Sequence, residues 1–458
     1  KLYGLNASGR APAALTIDRL RAAGHSAVPA RGWGSVTVPG APGAWRDLHA
    51  RFGRLPFEQV LRPAIETARQ GFAVSPLVAR AWAASARLFS SLSGPEFKPW
   101  FETFTRDGRP PAAGDVFALP DHASTLERIA ASRADDFYRG ELAGRIAEFA
   151  ARTDGYLSRD DLGRHESEWV EPIGTGYRGY EVWEIPPNGQ GLTALIALNV
   201  VEGYELGRLP RESAQAYHLQ IEAMKLAFAD AFRYIADPQH VDVPTRGLLS
   251  KEYAAERRGL IGDHARAMEP GQPARGGTVY LCTADADGMM VSYIQSNYQG
   301  FGSGVVVPGT GIALQNRGHG FVLAPAHPNA LAPGKRPFHT IIPSFLTRDG
   351  QAVGPFGVMG GHMQPQGHAQ MAVNTIDWGL NPQASLDAPR WQVTAGLGVM
   401  VEQAVPAHVV QELIRRGHQV TIQPDGGQFG KGQIIWRRPN GALVAGTEPR
   451  ADGAALGY

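Results

Sequence analysis

Three glycine-centred dipeptides, each set beside β-rich runs, constrain the fold of this chain more than any other feature. Asp287-Gly288 joins 278–284 to 290–296, Asp349-Gly350 follows 341–347, and Asn440-Gly441 joins 434–437 to 442–444. Asp-Gly and Asn-Gly supply the positive φ angles of a tight hairpin, so the part after about residue 270 is expected to build antiparallel sheet. Before that point the patterning is helical. Ile221, Met224, Phe228, Phe232 and Ile235 recur at helical spacing, which predicts a helix over 213–236 with one stripe facing a core, closed by Asp237-Pro238. Ser124-Thr125-Leu126-Glu127 has capping-box spacing and predicts a helix start. Helices first and hairpins later imply an α+β fold, with helices layered on packed sheets.

With 458 residues, 43% of them hydrophobic and 19% charged, the chain can bury a large core. Lys and Arg number 44 against 43 Asp and Glu, so no basic excess points to nucleic acid. No apolar run reaches the roughly 20 residues of a membrane span, and no membrane association is expected. The abundance of Arg, Ala, Gly and Pro is the usage of a GC-rich bacterial genome. The chain opens Lys1-Leu2-Tyr3 without Met and shows no signal peptide, which leaves bacterial cytoplasm and periplasm both open.

Cys282 is the single cysteine, so neither an intrachain disulfide nor a multi-cysteine zinc site is available. It shares a strand face with position 278 and reads as a small buried hydrophobe, not a nucleophile. His362 and His368 lie six apart across Pro365 and match no common zinc spacing, so neither metal nor cofactor is expected. The signals of serine α/β-hydrolases and P-loop NTPases are missing. Asn6-Ala7-Ser8 is a glycosylation triplet of the kind that arises by chance.

The chemistry gathers at Arg275-Gly276-Gly277-Thr278, where two glycines precede a threonine that opens a strand. A threonine hydroxyl within a chain is a poor nucleophile. At a chain start its own α-amine, with a pKa of about 8, serves as the adjacent base. Breaking the Gly277–Thr278 bond would expose that amine, and the same hydroxyl can do it by attacking the Gly277 carbonyl. Glycine tolerates the distortion such an attack needs.

Several stretches together resemble the γ-glutamyltransferase family. They are Gly277-Thr278 ten residues before Gly288, the run 297–308 (NYQGFGSGVVVP), Met359-Gly360-Gly361, Val36-Thr37-Val38-Pro39-Gly40, and Pro186-Pro187 through Gly191. The resemblance extends from near residue 1 to the C-terminus and matches the divergent bacterial branch. It implies an N-terminal-nucleophile hydrolase with an αββα sandwich, two stacked antiparallel sheets between helical layers. It also implies a precursor cleaved into a large fragment, 1–277, and a small one, 278–458, which stay together as one intertwined domain. A further N-terminal stretch of helix and strand is expected ahead of the part seen here. Thr278 is then the nucleophile, and Gly360 and Gly361 supply oxyanion-hole N–H groups. Asn297 matches an asparagine near the substrate's α-amino group.

The family grips a γ-glutamyl group through charge, and here each part of that clamp is altered. The arginine position falls on Ser8, with Arg10 two residues away as a substitute. The aspartate that holds the ammonium falls on Gly320, the polar residue three before it on Arg317, and a serine pair on His339-Thr340. Losing the counter-charge of a desolvated ammonium costs roughly 2–5 kcal/mol. The short stretch 321–335 leaves little room for a lid, so an open pocket favours water over an amine acceptor. The expected activity is hydrolysis of γ-glutamyl or related acyl groups from small-molecule amides such as glutathione. The rival readings are an acylase of another acyl class, including β-lactam or acyl-peptide substrates, and a non-catalytic relative acting as scaffold or binder.

Overall fold

All three hairpins form where the glycine dipeptides place them. The computed structural model describes residues 1–267 and 277–458, in two compact units. The first comprises Lys1–Leu2, Glu171–Ser296 and Thr340–Tyr458, and the second Tyr3–Val170 with Asn297–His339. Each unit therefore draws chain from both sides of the 277/278 junction.

The strands of the first unit are β1 (Ile173–Tyr177), β2 (Tyr180–Glu184), β3 (Gly277–Ala284), β4 (Met290–Tyr298), β5 (Ser344–Arg348), β6 (Gln351–Met359), β7 (Trp391–Val393), β8 (Gly398–Glu402), β9 (Gln419–Gln423), β10 (Lys431–Arg437) and β11 (Leu443–Thr447). Its helices used below are α1 (Gly191–Val201), α2 (Ala214–Tyr234) and α3 (Met363–Ile376). A six-stranded antiparallel sheet runs β11-β10-β6-β5-β2-β1. Asp349 and Gly350, with φ of 52° and 71°, close β5–β6, and Gly441 at 84° closes β10–β11. Gly288, at 88°, turns the separate β3–β4 hairpin.

Neighbouring residues of β6 show the layers, because successive side chains point to opposite faces of a sheet. A Cβ on Gly357 would lie 2.5 Å from the Tyr280 ring of β3, while Val358 sits against Gly367 of α3, where a Cβ would come within 2.7 Å. The hairpin thus covers one face of the sheet and α3 the other. Missing side chains let both layers approach closely. A small third sheet, β7-β8-β9, contains one parallel pair, β8 with β9, so antiparallel pairing is not universal here.

Three expectations need correction. The helix over 213–236 exists as α2, capped by Ser213, but it is buried nearly all round, with Ile221, Met224 and Phe228 alongside His218, Glu222 and Lys225. It is a central helix packed by α1 and its other neighbours, so no single stripe is distinguished. The helix at 124 begins four residues earlier, as Pro120–Ser132. Proline suits a first helical turn, and Ser124 instead bonds back to the Pro120 carbonyl at 3.2 Å. The helical first half also conceals β1–β2, which turns at Arg178-Gly179 with positive φ at both residues.

The second unit is largely helical. One of its cores gathers Trp82, Phe89, Trp100, Phe104 and Phe117, and Phe301 packs on Phe104 with ring centroids 4.6 Å apart. A short strand Gly4–Asn6 pairs antiparallel with Glu168–Val170. Among the described residues no helix is long and apolar enough to cross a membrane.

Candidate active site

Thr278 stands second in β3, half-buried, with its Oγ1 2.9 Å from the Ser296 Oγ of β4. Strand alternation puts Thr278, Tyr280 and Cys282 on the face toward the six-stranded sheet and leaves Val279 and Leu281 exposed. Tyr280 anchors the strand: its ring lies on Gly357 and its hydroxyl is 2.9 Å from the Ser292 Oγ. Burial pushes the Cys282 thiol up to about 12, opposed by its bond with Tyr280, so it stays protonated and unreactive at neutral pH. Arg275 and Gly276 lie outside the described residues, and Gly277 is described only as the first residue of β3.

Gly360 and Gly361 form the corner between β6 and α3, with φ of 137° and 62°. The first value is open almost only to glycine. A Cβ on Gly360 would also stand 3.1 Å from the Gly430 Cα. The Gly360 carbonyl accepts from Met363 N–H at 3.1 Å in the first turn of α3. Carbonyl and N–H of one trans peptide point in opposite directions, so the Gly361 N–H faces away from that turn. Among the described residues neither glycine N–H finds an acceptor. Two backbone donors at a helix N-terminus can hold a developing negative charge.

The two histidines that flank this corner have structural partners. His368 Nε2 accepts the Val358 N–H at 3.0 Å, so its Nδ1 carries the proton and donates to Glu184 Oε1 at 2.6 Å. Burial raises the Glu184 carboxyl, with His368 acting in the opposite sense. This pair ties β2, α3 and β6 together two residues before Gly360. His362 Nδ1 lies 3.1 Å from Gln190 Oε1, and Thr340 is buried with its carbonyl accepting from Gln190.

The other predicted site residues belong to the second unit. Asn297 follows Ser296 directly, and alternation along β4 turns the two side chains to opposite faces. Tyr298 next to it has φ of 75°, a strained value for an aromatic residue, and the Arg317 guanidinium lies 4.5 Å from its ring centre. Burial lowers the Arg317 pKa to about 9, opposed by Tyr298. His339 is held well below the usual range by burial and by the charges of Arg317 and Arg336. Arg10 donates to Glu168 at 3.0 Å and to the Gly334 carbonyl at 3.0 Å. Arg336 joins the same carboxylate at 2.7 Å and holds the Ser8 carbonyl at 2.8 Å. Arg10 is thus engaged in an ion-pair network that its sequence position did not announce.

The one metal-type cluster among the described residues is not the His362/His368 pair but His218, Glu222 and His418, whose ligand atoms lie within 4.8 Å of one another. Lys225 is seated among them, 2.7 Å from Glu222 Oε1 and 3.3 Å from His418 Nδ1. His418 Nε2 is 2.9 Å from His218 Nδ1, and His218 Nε2 is 2.8 Å from the Gly262 carbonyl. One tautomer assignment satisfies every bond with both histidines neutral, and the chain's own ammonium supplies the cation.

The sequence singles out Thr278 and the Gly360-Gly361 corner as candidates, and does not single out Ser296, Gln190 or the Glu184–His368 pair. Ser296 lies on β4, the strand that the Asp287-Gly288 turn brings back beside β3. Gln190 lies within the Pro186–Gly191 motif, whose residue types by themselves name no role for it. Glu184 and His368 are 184 residues apart, and nothing local links them.

A model of the family described as Gamma-glutamyltranspeptidase matches residues 1–458. The solved structure of cephalosporin acylase from Bacillus halodurans is 55% identical, with a TM-score of 0.96, covering 100% of this chain and 85% of that one. The two share the αββα fold. The glutathione hydrolase-like YwrD proenzyme of Bacillus subtilis (strain 168) is 37% identical over 465 residues, 100% of this chain and 86% of that protein. The oxamate amidohydrolase proenzyme of Klebsiella pneumoniae subsp. pneumoniae is 35% identical over 469 residues, 99% of this chain and 87% of that one. Together with the threonine-led hairpin and the glycine corner, these matches establish that the chain belongs to the gamma-glutamyltranspeptidase family of N-terminal-nucleophile hydrolases.

Proposed function

We propose that this protein is a self-processing amidase that hydrolyses, rather than transfers, a carboxylate-bearing acyl group, with Thr278 as its nucleophile. The observation that carries the reading is a threonine hydroxyl already hydrogen-bonded at the head of β3, in a hairpin packed against the six-stranded sheet, whose β6 ends in a glycine corner where neither N–H finds an acceptor among the described residues. In processing, Thr278 Oγ1 attacks the Gly277 carbonyl and the C–N bond breaks to an ester. Water then cleaves the ester, giving fragments 1–277 and 278–458. The freed α-amine takes the hydroxyl proton as Oγ1 attacks the substrate amide. Gly360 and Gly361 N–H groups stabilise the oxyanion, the amine leaves with a proton, and water hydrolyses the acyl ester.

The acyl group is read from charge. By resemblance the substrate-binding positions are Asn297, Arg317, His339 and Thr340, with Arg10 as a substitute two residues from the arginine position, and Gly320 stands where an aspartate would hold an ammonium. Arg317 repels an α-ammonium and attracts a carboxylate. The relatives named for cephalosporin acylase and oxamate amidohydrolase activity support an acyl group other than γ-glutamyl. The glutathione hydrolase-like relative supports the second reading, a γ-glutamyl hydrolase. Glutaryl- and γ-glutamyl-p-nitroanilide differ only in the α-ammonium. Higher kcat/KM on the glutaryl compound is expected, and preference for the γ-glutamyl compound would overturn the acyl assignment.

A further inference from the structure

Gln190 lies immediately before α1 and is fully buried. Its Nε2 donates to the Gly361 carbonyl at 2.8 Å and to the Thr340 carbonyl at 2.8 Å. Both amide hydrogens are therefore used. Its Oε1 faces His362 Nδ1 at 3.1 Å. Turning the amide over would set Oε1 against two carbonyl oxygens, so the observed orientation is the only one that satisfies the group. It follows that His362 Nδ1 carries a proton and donates it to Gln190. His362 is itself the residue that caps α3, and its ring stands edge-on to Phe232, with centroids 5.4 Å apart.

The consequence concerns the glycine corner. Gly361 at φ of 62° has no Cβ to restrict its ψ, so its peptides are fixed only by what they bond. The Gly360 carbonyl is held by Met363 N–H, and the Gly361 carbonyl by Gln364 N–H at 3.2 Å and by Gln190. Of these, only Gln190 comes from outside α3. It also reaches the chain at Thr340, so one side chain sets the spacing between two loops.

We propose that Gln190, oriented by His362, is a positioning residue for the reaction: it fixes the Gly361–His362 peptide through its carbonyl, and with it the Gly361 dihedrals that set where the Gly361 N–H of the preceding peptide points. This inference rests on the amidase reading above and names the residue that makes its oxyanion site rigid. Gln190 touches no reacting atom, so its loss acts through the glycines.

The test compares Gln190→Glu and Gln190→Met with the parent and with Thr278→Ala, on whichever of the two anilides the parent hydrolyses. Glutamate keeps the acceptor for His362 but, ionised, aims charge at two carbonyl oxygens. Protonated, it regains one donor. The expected result is kcat about 10- to 100-fold below the parent in both variants, with KM changed less than about threefold, as misplacement of reacting groups gives. The variant-to-parent ratio of kcat should rise as pH falls for the glutamate variant and stay flat for the methionine variant. Parent-like kcat in Gln190→Met overturns the proposal, whether or not the glutamate variant folds. So does a loss of activity that only tracks the folded fraction, with no pH dependence in the ratio. A parent without Thr278-dependent turnover would instead remove the amidase reading, and this inference with it.

Discussion

Adding one methyl group at Gly357 tests how Thr278 is held. The Gly357→Ala Cβ would lie 2.5, 2.7 and 2.8 Å from three atoms of the Tyr280 ring. Carbon atoms in van der Waals contact sit about 3.5–4.0 Å apart, so ring and strand must separate by roughly 1 Å. The Tyr280 ring is rigid, buried and tied to Ser292, and β6 is fixed by strands on both sides. The hairpin therefore yields, and it carries Thr278 two residues away. Overpacking of this kind costs about 1–3 kcal/mol of stability. A displacement near 1 Å at a reacting group costs up to about 100-fold in rate. Urea unfolding and steady-state hydrolysis measure the two effects separately. Adding Tyr280→Leu to Gly357→Ala removes the clashing ring edge and should recover part of the rate. A Gly357→Ala protein with parental stability and rate would refute the claim that Tyr280 seats the hairpin on β6.

Three further outcomes follow from the same geometry. Gly360→Ala forces a Cβ into φ of 137° and against Gly430. It should lower kcat by about 10²–10³ with little change in KM, measured on the preferred anilide. His368→Ala leaves the Glu184 carboxylate buried without its donor and should cost about 3–5 kcal/mol in urea unfolding, whereas replacing both residues by apolar ones should cost less. Burial, with the charges of Arg336 and Arg46, lowers the His165 pKa from 6.5 to about 4. Because the folded value lies below the unfolded one, this stability is present above pH 6.5 and is lost as pH falls toward 4. The loss, up to about 3 kcal/mol, should flatten in His165→Gln when urea midpoints at pH 7.5 and 4.5 are compared.

What could be read from the sequence divides by the range of the interactions involved. Hairpins closed by Asp-Gly and Asn-Gly are local, since the turn residues themselves fix register, and all three formed as expected. The Arg178-Gly179 hairpin escaped notice because arginine gives no turn signal, although tertiary pairing with β5 holds it in the sheet. The helix α3 is obscured by Pro365 and Gly367, yet Gly367 is what lets it approach Val358. Thr278 and the Gly360-Gly361 pair were legible as motifs. Partners contributed by distant segments were not: Glu168 for Arg10, Glu184 for His368, and Gln190 for Gly361 carry no local pattern. The capping box at 124 failed because composition matched a motif that the helix start, four residues earlier, did not use. A true one lies at Ser158–Asp161.

In the proposed reaction, Thr278 is exposed as a chain start by its own chemistry. The most direct measurement is the intact mass of the purified protein during incubation, beside Thr278→Ala. Two fragments, residues 1–277 and 278–458, are expected in the parent and a single chain in the variant. A parent that remains one chain, or a Thr278→Ala protein that still divides at the same bond, would contradict that reaction.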